Sequence, residues 1–220
     1  MYNREHWAYH LSSKSGLTVS VYFCRQPENY TGGRSMYTAA AFIFCYLAGC
    51  INGAYLLARK WQGKDIRQMG SGNAGARNAG RELGKRGFFY TILIDAGKTV
   101  AALAAADAFL GHSALLVCAF AVLCGHIWPA PLGFRGGKGV VVYLASALYL
   151  APASLLAAFI VLLAGWSVTR RFTVPGLIAM AAMPVSIYLL AGDVPAAVAF
   201  VIMLLIVIAA HNDFFYKKVA

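Results

Sequence analysis

The side chains best suited to chemistry stand in a glycine-rich stretch at positions 70–81, which reads GSGNAGARNAGR. Glycine leaves the backbone free to turn its amide hydrogens towards an anion, as in phosphate-binding nests. Neutral hydrogen-bonding groups, and an arginine able to hold an anion through two parallel bonds, lie among these glycines: Ser71, Asn73, Asn78 and Arg81. This first glycine segment predicts a phosphate-binding site. A flexible basic loop is the simpler alternative.

A second glycine segment, at positions 125–139, reads GHIWPAPLGFRGGKG. The glycine pair Gly136–Gly137 separates Arg135 from Lys138, and two cations at this spacing form a compact anion clamp. In such a clamp Lys138 acts as a point charge and Arg135 as a planar fork. His126 is expected near the end of a membrane-spanning helix, where a lone histidine is more often structural than catalytic. The alternative is a basic loop with glycine turns.

A charged pair, Asp95 and Lys98, interrupts an otherwise apolar stretch that is long enough to cross a membrane. Residues three apart lie on the same side of a helix, so the two charges can partly neutralise each other. Ionisable side chains are costly inside a membrane and usually face a cavity or the interior of the helix bundle. The pair is therefore a candidate for the functional site, and a purely structural ion pair is the alternative.

Other kinds of catalytic site leave no signature in the chain. There is no Gly-x-Ser-x-Gly nucleophile elbow, Walker loop, His-Glu-x-x-His motif or paired-carboxylate signal. The five cysteines include no C-x-x-C spacing and predict neither a disulfide framework nor a zinc site. If the protein is an enzyme, the sequence therefore predicts a site without metal or cofactor that works by positioning and charge.

The composition requires a lipid environment for most of the chain. Of the 220 residues, 60% are apolar and 12% are charged, and the mean hydropathy is +0.64. Soluble domains average about 45–50% apolar and about 25% charged residues. The net charge of +11 suits an anionic membrane surface or an anionic substrate. Nucleic acid is not expected as a partner, because the basic residues lie in short loops without interleaved aromatic side chains for base stacking.

Apolar runs predict membrane-spanning helices at 36–58, 87–110, 113–131, 140–168, 173–191 and 194–210. The loop 59–86 holds eight basic residues, so the positive-inside rule places it in the cytoplasm. A single crossing by 140–168 would leave Arg170 and the lysines at 217–218 outside, whereas two short helices broken near Pro152 return both to the cytoplasm. We therefore predict an all-α integral membrane protein of about seven helices, some short or partial, with glycine-rich cytoplasmic loops. Five or six crossings are the alternative.

The N-terminal residues 1–35 differ from the rest, because they are polar and rich in turn-forming residues. Met36 stands directly before the first apolar run. We expect translation to start naturally at Met36, which makes 1–35 an extension to a membrane domain at 36–220. Within the first run, Gly49-x-x-x-Gly53 predicts close helix packing, and Asn52 is placed to bond a neighbouring helix.

The two glycine segments together resemble the first two signatures of the bacterial glycerol-3-phosphate acyltransferases that use acyl phosphate, the PlsY family. That family's patterns run approximately GSGN-x-GATN-x-x-R and GH-x-x-P followed by F-(R/K)-GGKG. The resemblance covers residues 36–211 and includes the order of the spans, the Asp95–Lys98 pair and the spacing between the segments. Because both signatures occur in order, each at a predicted membrane boundary, the chain is identified as a member of this family.

The resemblance implies a reaction, its partners and a location. A fatty acyl phosphate reacts with the 1-hydroxyl of sn-glycerol 3-phosphate, giving lysophosphatidic acid and phosphate without a metal or cofactor, as the first step of phospholipid synthesis. The donor is already an activated anhydride, so the protein need only orient the hydroxyl and stabilise the departing phosphate. The resemblance further implies a monomeric, multi-pass enzyme of the bacterial inner membrane, with its active site facing the cytoplasm and its acyl tail in a lipid-facing groove.

The same resemblance assigns the site residues. The first segment is expected to bind phosphate or the reacting carbonyl, and the second to hold glycerol 3-phosphate. The residues expected to be catalytic are Ser71, Arg81, Lys138 and His211. The residues expected to bind substrate or phosphate are Gly70, Gly72, Asn73, Gly75, Asn78, Lys98, His126, Arg135, Gly136, Gly137 and Gly139.

The chain departs from the family pattern in three places. After the second signature Val140-Val141-Val142 stands where the family usually continues Val-Ala-Thr. Arg77 stands where the family has threonine. The third signature, near His-Arg-x-Asn-Ile-x-Arg, is reduced to HNDFFYK at 211–217, where Phe214 replaces the asparagine and Asn212 or Lys217 is left to substitute. These departures favour a divergent paralogue. The alternatives are a catalytically silent relative that binds glycerol 3-phosphate, and a transporter of a small phosphorylated anion, although the chain has no internal repeat typical of transporters.

Overall fold

The computed structural model describes residues 6–12, 18–24, 34–110, 114–170 and 173–211. Within these ranges an N-terminal β-hairpin precedes a bundle of α-helices. The helices are α1 (Arg34–Cys50), α2 (Gly53–Gln62), α3 (Ala76–Glu82), α4 (Gly84–Leu110), α5 (Leu115–Ile127), α6 (Val140–Leu150), α7 (Pro152–Thr169), α8 (Thr173–Ala191) and α9 (Val194–His211). Short 3-10 turns lie at Ile66–Gln68 and Ala130–Leu132.

The hairpin consists of the antiparallel strands β1 (His6–Ser12) and β2 (Thr18–Cys24). Its register places Trp7 opposite Phe23 and Leu11 opposite Val19. Apolar residues recur at every second position of both strands, which is the period of a β-strand. This alternation is the sequence signal for the hairpin, and the polar composition of the N-terminal residues obscured it.

Within the described ranges, six stretches are long and apolar enough to cross a membrane: Met36–Gln62, Gly84–Leu110, Leu115–Leu132, Pro152–Thr169, Val174–Ala191 and Val194–His211. The remaining apolar helix, α6, has 11 residues. At about 1.5 Å per residue it extends about 16 Å, roughly half of the hydrocarbon thickness. The chain breaks between α6 and α7 immediately before Pro152. The prediction of an all-α membrane protein with about seven helices, one of them partial, is therefore confirmed.

The first apolar run was predicted as one span over 36–58, and the structure has a span at Met36–Gln62 that is divided into two helices. The run breaks at Ile51–Asn52, where Asn52 adopts an extended backbone and begins α2. Its side-chain Oδ1 accepts a hydrogen bond from the Tyr55 amide at 2.9 Å, the bond of a helix N-cap. A hydropathy average does not register a single asparagine among apolar neighbours, so the run reads as continuous.

The first glycine segment was predicted as a loop, and only its first half is one. From Ala76 to Glu82 the chain forms α3, which therefore includes Asn78 and Arg81. Glycine and asparagine have low helix propensity. Tertiary hydrogen bonds from Asn78 to the loop before it hold this short helix in place.

Two glycines of the first run pack against different helices. At Gly49 the backbone of α1 touches α5, since a Cβ atom there would overlap the Val122 carbonyl oxygen. At Gly53 the chain has already turned into α2 and touches α4, where a Cβ would lie 3.1 Å from the Thr91 carbonyl oxygen. The predicted close packing at Gly49-x-x-x-Gly53 is therefore present, but it joins two pairs of helices, α1 with α5 and α2 with α4.

Candidate active site

The two glycine segments lie against each other, where α2 and α5 end and α4 and α6 begin. Ala74 of the first segment and Gly137 of the second are neighbours. A Cβ atom on Gly137 would lie 3.0 Å from the Ala74 carbonyl oxygen and would overlap Nε2 of His126. Only glycine allows this approach of the two backbones. The two segments predicted to share one site are thus in contact.

The first segment is shaped by the buried amide of Asn78. Its Oδ1 accepts a hydrogen bond from the Ser71 backbone amide at 3.0 Å. Its Nδ2 donates to the carbonyl oxygens of Met69, at 2.9 Å, and Ile66, at 3.3 Å. Gly70 and Gly72 adopt the left-handed backbone that this turn requires, with φ of +55° and +73°. Asn78 therefore fixes the turn through backbone bonds.

Asn52, at the break between α1 and α2, anchors the same turn. Its Nδ2 donates to the Ala74 carbonyl oxygen at 2.9 Å, and the residue is only 2% exposed. A polar residue at the bend of a membrane helix therefore holds the backbone of the first segment. The sequence placed Asn52 against a neighbouring helix, and the structure places it against this turn instead.

Arg67 joins the 3-10 turn before the first segment to the second segment. Its guanidinium forms a two-pronged ion pair with Asp65, with the shortest N–O distance 2.7 Å, and also donates to the Leu132 carbonyl oxygen. The hydrogen bonds from Arg67 hold the pKa of the Asp65 carboxyl below its usual value. The guanidinium also lies 5.4 Å from the ring centre of Tyr55. This contact braces both segments from outside the glycine positions.

The second segment is held by backbone contacts. The amide of Gly136 donates to the Ile127 carbonyl oxygen at 3.0 Å, and that of Gly137 to the His126 carbonyl oxygen at 3.1 Å. A Cβ at position 136 would overlap the His126 carbonyl oxygen. The hydroxyl of Tyr46 in α1 donates to the Trp128 carbonyl oxygen at 2.7 Å. The chain therefore folds back tightly onto the end of α5.

A buried charge cluster underlies the contact between the segments. Nζ of Lys98 lies 3.2 Å from Asp95 Oδ1 and 3.0 Å from His126 Nδ1. The same ammonium donates to the carbonyl oxygens of Gly49, at 2.8 Å, and Ile51. The break after α1 leaves both of these oxygens without a partner within a helix. Lys98 was predicted to complete the charge around phosphate. The structure places its ammonium among protein acceptors instead, so it supports the site from beneath.

The carboxylate of Asp95 completes this cluster. It accepts a hydrogen bond, 3.2 Å long, from the backbone amide of Gly53, the first residue of α2. Its side chain is 1% exposed, and a carboxylate so deeply buried needs a cation and a donor. The Asp95–Lys98 pair therefore ties α4 to both ends of the break between α1 and α2.

The end of α9 reaches the second segment. Nζ of Lys138 lies 3.4 Å from the His211 carbonyl oxygen, and His211 Nδ1 lies 2.8 Å from the Val207 carbonyl oxygen. The remnant of the third signature thus begins beside Lys138. Asn212 and Lys217, proposed as substitutes for the missing asparagine, lie outside the described residues.

The remaining predicted residues surround the contact at different depths. Ser71, Arg81 and Arg135 are exposed, and Asn73 is half-buried. Gly75 precedes α3, and a Cβ there would lie 2.8 Å from Asn73 Nδ2. Gly139 begins α6 with φ of +81°. Among the described residues no three His, Cys, Asp or Glu side chains cluster as a metal site would require.

Sequence reasoning missed Asp65, Arg67 and Tyr46 as parts of this site. Arg67 and Tyr46 act by hydrogen bonds to the backbone of distant segments, 65 and 82 residues away, and Asp65 acts by holding the Arg67 guanidinium. Such partners leave no local pattern. Only Asn52 gave a sequence signal, as a polar residue inside an apolar run.

The fold and the site define a multi-pass membrane protein whose two glycine segments form a polar, cation-flanked site above a buried charge cluster. The family model described as "Glycerol-3-phosphate acyltransferase" matches residues 39–217. The glycerol-3-phosphate acyltransferase 1 of Desulfitobacterium hafniense (strain Y51) is 38% identical over 168 residues, which are 76% of this chain and 83% of the relative. The glycerol-3-phosphate acyltransferase of Agrobacterium fabrum (strain C58) is 39% identical over 171 residues, covering 78% and 82%.

The chain therefore belongs to the glycerol-3-phosphate acyltransferase family. Among solved structures it is similar to PlsY (YgiH), an integral membrane glycerol 3-phosphate acyltransferase, in the glycerol 3-phosphate form, with a TM-score of 0.73 and 27% identity over 82% of this chain and 90% of that chain. The lysphosphatidic acid form of PlsY gives a TM-score of 0.71 and 25% identity over the same shares. The predicted family and enzyme class, a membrane acyltransferase of phospholipid synthesis, are confirmed.

Proposed function

We propose that this glycerol-3-phosphate acyltransferase takes its acyl group from an acyl phosphate and esterifies the 1-hydroxyl of sn-glycerol 3-phosphate. The hydroxyl oxygen bonds to the acyl carbon, the bond from that carbon to the phosphate oxygen breaks, and inorganic phosphate leaves with the hydroxyl proton. The products are lysophosphatidic acid and phosphate. The observation that supports this most is the contact between Ala74 and Gly137, which brings two anion-binding segments to one place.

Two segments in contact suit a reaction between two phosphorylated molecules. Each substrate brings one phosphoryl group, and each segment offers turned backbone together with cationic side chains. Arg81 stands on the first segment, and Arg135 and Lys138 on the second. We assign the acyl phosphate to the first segment and glycerol 3-phosphate to the second, so that the hydroxyl and the acyl carbon meet between them.

The donor is inferred from the kind of side chains at the site. The contact between the segments is built from glycine, amide and cationic groups, which stabilise charge, and the hydroxyl beside them, that of Ser71, is proposed to orient the acceptor and not to carry the acyl group. An acyl phosphate is activated before it binds, so orientation and charge stabilisation suffice. We assign the role of orienting the hydroxyl to Ser71 and that of stabilising the departing phosphate to Arg81.

The acyl chain is proposed to lie between helices on the lipid-facing side of the bundle. PlsY, which is similar in fold, has been solved in a lysphosphatidic acid form. The basic loop 59–86 supports an active site on the cytoplasmic face of the bacterial inner membrane. We further propose that the enzyme works as a monomer, because the two glycine segments of a single chain already meet at Ala74 and Gly137.

The experiment is a donor comparison with purified protein and glycerol 3-phosphate. Acyl phosphate should give lysophosphatidic acid and inorganic phosphate in equal amounts, and acyl-CoA should give neither above background. Arg81→Lys should lower turnover with acyl phosphate, because an ammonium cannot form the two-pronged contact of a guanidinium. Lys64→Ala, an exposed lysine in the same loop, is the matched control and should keep parental turnover. Product formation from acyl-CoA alone would overturn the proposed donor.

A further inference from the structure

We infer that Lys98 acts in the reaction through His126, by holding its imidazole as the neutral tautomer that presents Nε2–H to the contact between the two glycine segments. This inference rests on the proposed function and adds a substrate contact and a positioning residue to it. Lys98 is then no ligand of phosphate. His126 is a hydrogen-bond donor and no general base.

The tautomer follows from the partners of Lys98. An ammonium has three N–H donors and accepts no hydrogen bond. Two of these donors meet the Gly49 and Ile51 carbonyl oxygens, and the third lies between Nδ1 of His126, at 3.0 Å from the ammonium nitrogen, and Oδ1 of Asp95, at 3.2 Å. An imidazole nitrogen at that distance from an ammonium must be an acceptor, because two facing donors would repel each other. In a neutral imidazole whose Nδ1 accepts, Nε2 is the nitrogen that bears hydrogen.

The alternative partner for Nδ1 is too far away. Asp95 Oδ1 lies 3.7 Å from His126 Nδ1, which is beyond hydrogen-bonding distance. The carboxylate already has the Lys98 ammonium at 3.2 Å and the Gly53 amide at 3.2 Å. Asp95 therefore balances the charge of Lys98 and does not bind the imidazole. A second proton on His126 would place two cations side by side in a buried position.

Nε2 faces the place where the two segments meet. A Cβ atom on Gly137 would overlap Nε2, and the same atom would lie 3.0 Å from the Ala74 carbonyl oxygen. His126 is 3% exposed, yet across the described residues Nε2 takes part in no hydrogen bond with the protein. In the described part of the chain the fully enclosed side-chain polar atom without a partner is Ser146 Oγ, so Nε2 is not fully enclosed and can donate to a ligand at this contact.

That ligand is proposed to be the phosphate of glycerol 3-phosphate, which the second segment is assigned to hold. The donor sits beside Gly137 and therefore next to Lys138, the cation of the same segment. The absence of a side chain at 137 has two effects. It lets the segments touch, and it leaves Nε2 uncovered.

The tautomer is tested directly by nitrogen NMR of the full chain labelled with 15N-histidine in detergent micelles, with His126 assigned from the spectrum of His126→Gln. The parent should show Nδ1 without hydrogen and Nε2 with hydrogen at neutral pH. Lys98→Met should lose this fixed pattern. An Nδ1–H tautomer or an imidazolium in the parent would overturn the inference. This readout does not depend on which acyl donor the enzyme uses.

A pair of amide substitutions tests the substrate contact. The amide nitrogen of His126→Gln reaches the position of Nε2, whereas that of His126→Asn reaches only the position of Nδ1. We expect Gln to keep the KM for glycerol 3-phosphate within about threefold and Asn to raise it about 10–100-fold, with the KM for acyl phosphate unchanged in both. Equal KM values for Gln and Asn would remove Nε2 from the substrate contact. If the donor assignment fails, the same comparison is made by equilibrium binding of radiolabelled glycerol 3-phosphate.

Discussion

The two glycine segments are held in place in different ways, although both contribute tightly packed backbone to the same site. Side chains hold the first: the amides of Asn78 and Asn52 bond its carbonyl and amide groups. In the second, the side chains of Tyr46 and Arg67 bond the turn at 128–132, but the glycine pair is held by backbone, with the amides of Gly136 and Gly137 bonded to the end of α5. A side-chain bond can be weakened one group at a time, whereas a close backbone approach is either possible or blocked. The second segment should therefore tolerate substitution less.

The largest effect is expected for Gly136→Ala. Its Cβ would overlap the His126 carbonyl oxygen and lie 2.8 Å from that of Ile127, both of them backbone atoms that cannot move independently. We expect kcat/KM for glycerol 3-phosphate to fall by about 100-fold or more, since a displacement of about 1 Å can cost that much. Steady-state kinetics measure it. Gly97→Ala is the matched control, because nothing lies within 4 Å of a Cβ there, and it should keep parental activity.

Lys138→Ala tests whether the second segment binds the acceptor. Removing a cation from a phosphate should lower kcat/KM for glycerol 3-phosphate about 10–100-fold and leave the KM for acyl phosphate unchanged. The protein should remain inserted in the membrane, with the thermal unfolding midpoint of the parent. Unchanged kinetics with glycerol 3-phosphate would remove Lys138 from the site. It would also contradict the proposal that each segment binds a different substrate.

Asn78→Ala tests the side-chain support of the first segment. The Ser71 amide and the Met69 and Ile66 carbonyl oxygens lose their partner, at about 1–3 kcal/mol for each buried group left unsatisfied. We expect a lower thermal unfolding midpoint and about a tenfold loss of turnover. Gln68→Ala removes an exposed amide from the same stretch and should change neither. If Asn78→Ala costs more turnover than Gly136→Ala, the proposed difference between the segments is wrong.

The smallest effect is expected for Arg67→Lys, which weakens the contact between the segments without touching either set of glycines. A lysine loses the two-pronged bond to Asp65, and we expect about 1 kcal/mol less stability at pH 7. The pKa of Asp65 is lowered in the folded protein, so the pair stabilises at higher pH and its contribution is lost as pH falls below about 4. Thermal unfolding of the variant and the parent at pH 7 and below about pH 4 measures this contribution. If the stability difference between the variant and the parent persisted in acid, the effect of Arg67 would not come from its ion pair with Asp65.

The features that the sequence predicted are those with local patterns. Hydropathy located the spans, and Pro152 located the break between α6 and α7. Clusters of glycine beside cations marked both segments. The break at Asn52 was not predicted, because one asparagine changes the average hydropathy of a 23-residue run very little. The braces formed by Arg67 and Tyr46 depend on the fold, since their partners are distant in sequence.

The charged pair shows the limit of a pattern most clearly. Spacing alone placed Asp95 and Lys98 on one side of α4, which the 3.2 Å contact between them bears out. The role of Lys98 could not be read from spacing. It depends on carbonyl groups freed by a helix break that the sequence did not predict. Lys98 therefore lies beside Asp95 on α4, as predicted, and supports the site through its contacts with protein groups.

The most direct test of a single site built from both glycine segments is an experimental structure of this protein with glycerol 3-phosphate bound. We expect the phosphate within hydrogen-bonding distance of Lys138 and His126 Nε2, and the 1-hydroxyl directed at Ser71 or Arg81 of the first segment. A ligand that contacts one segment alone, or that binds elsewhere between the helices, would contradict this expectation.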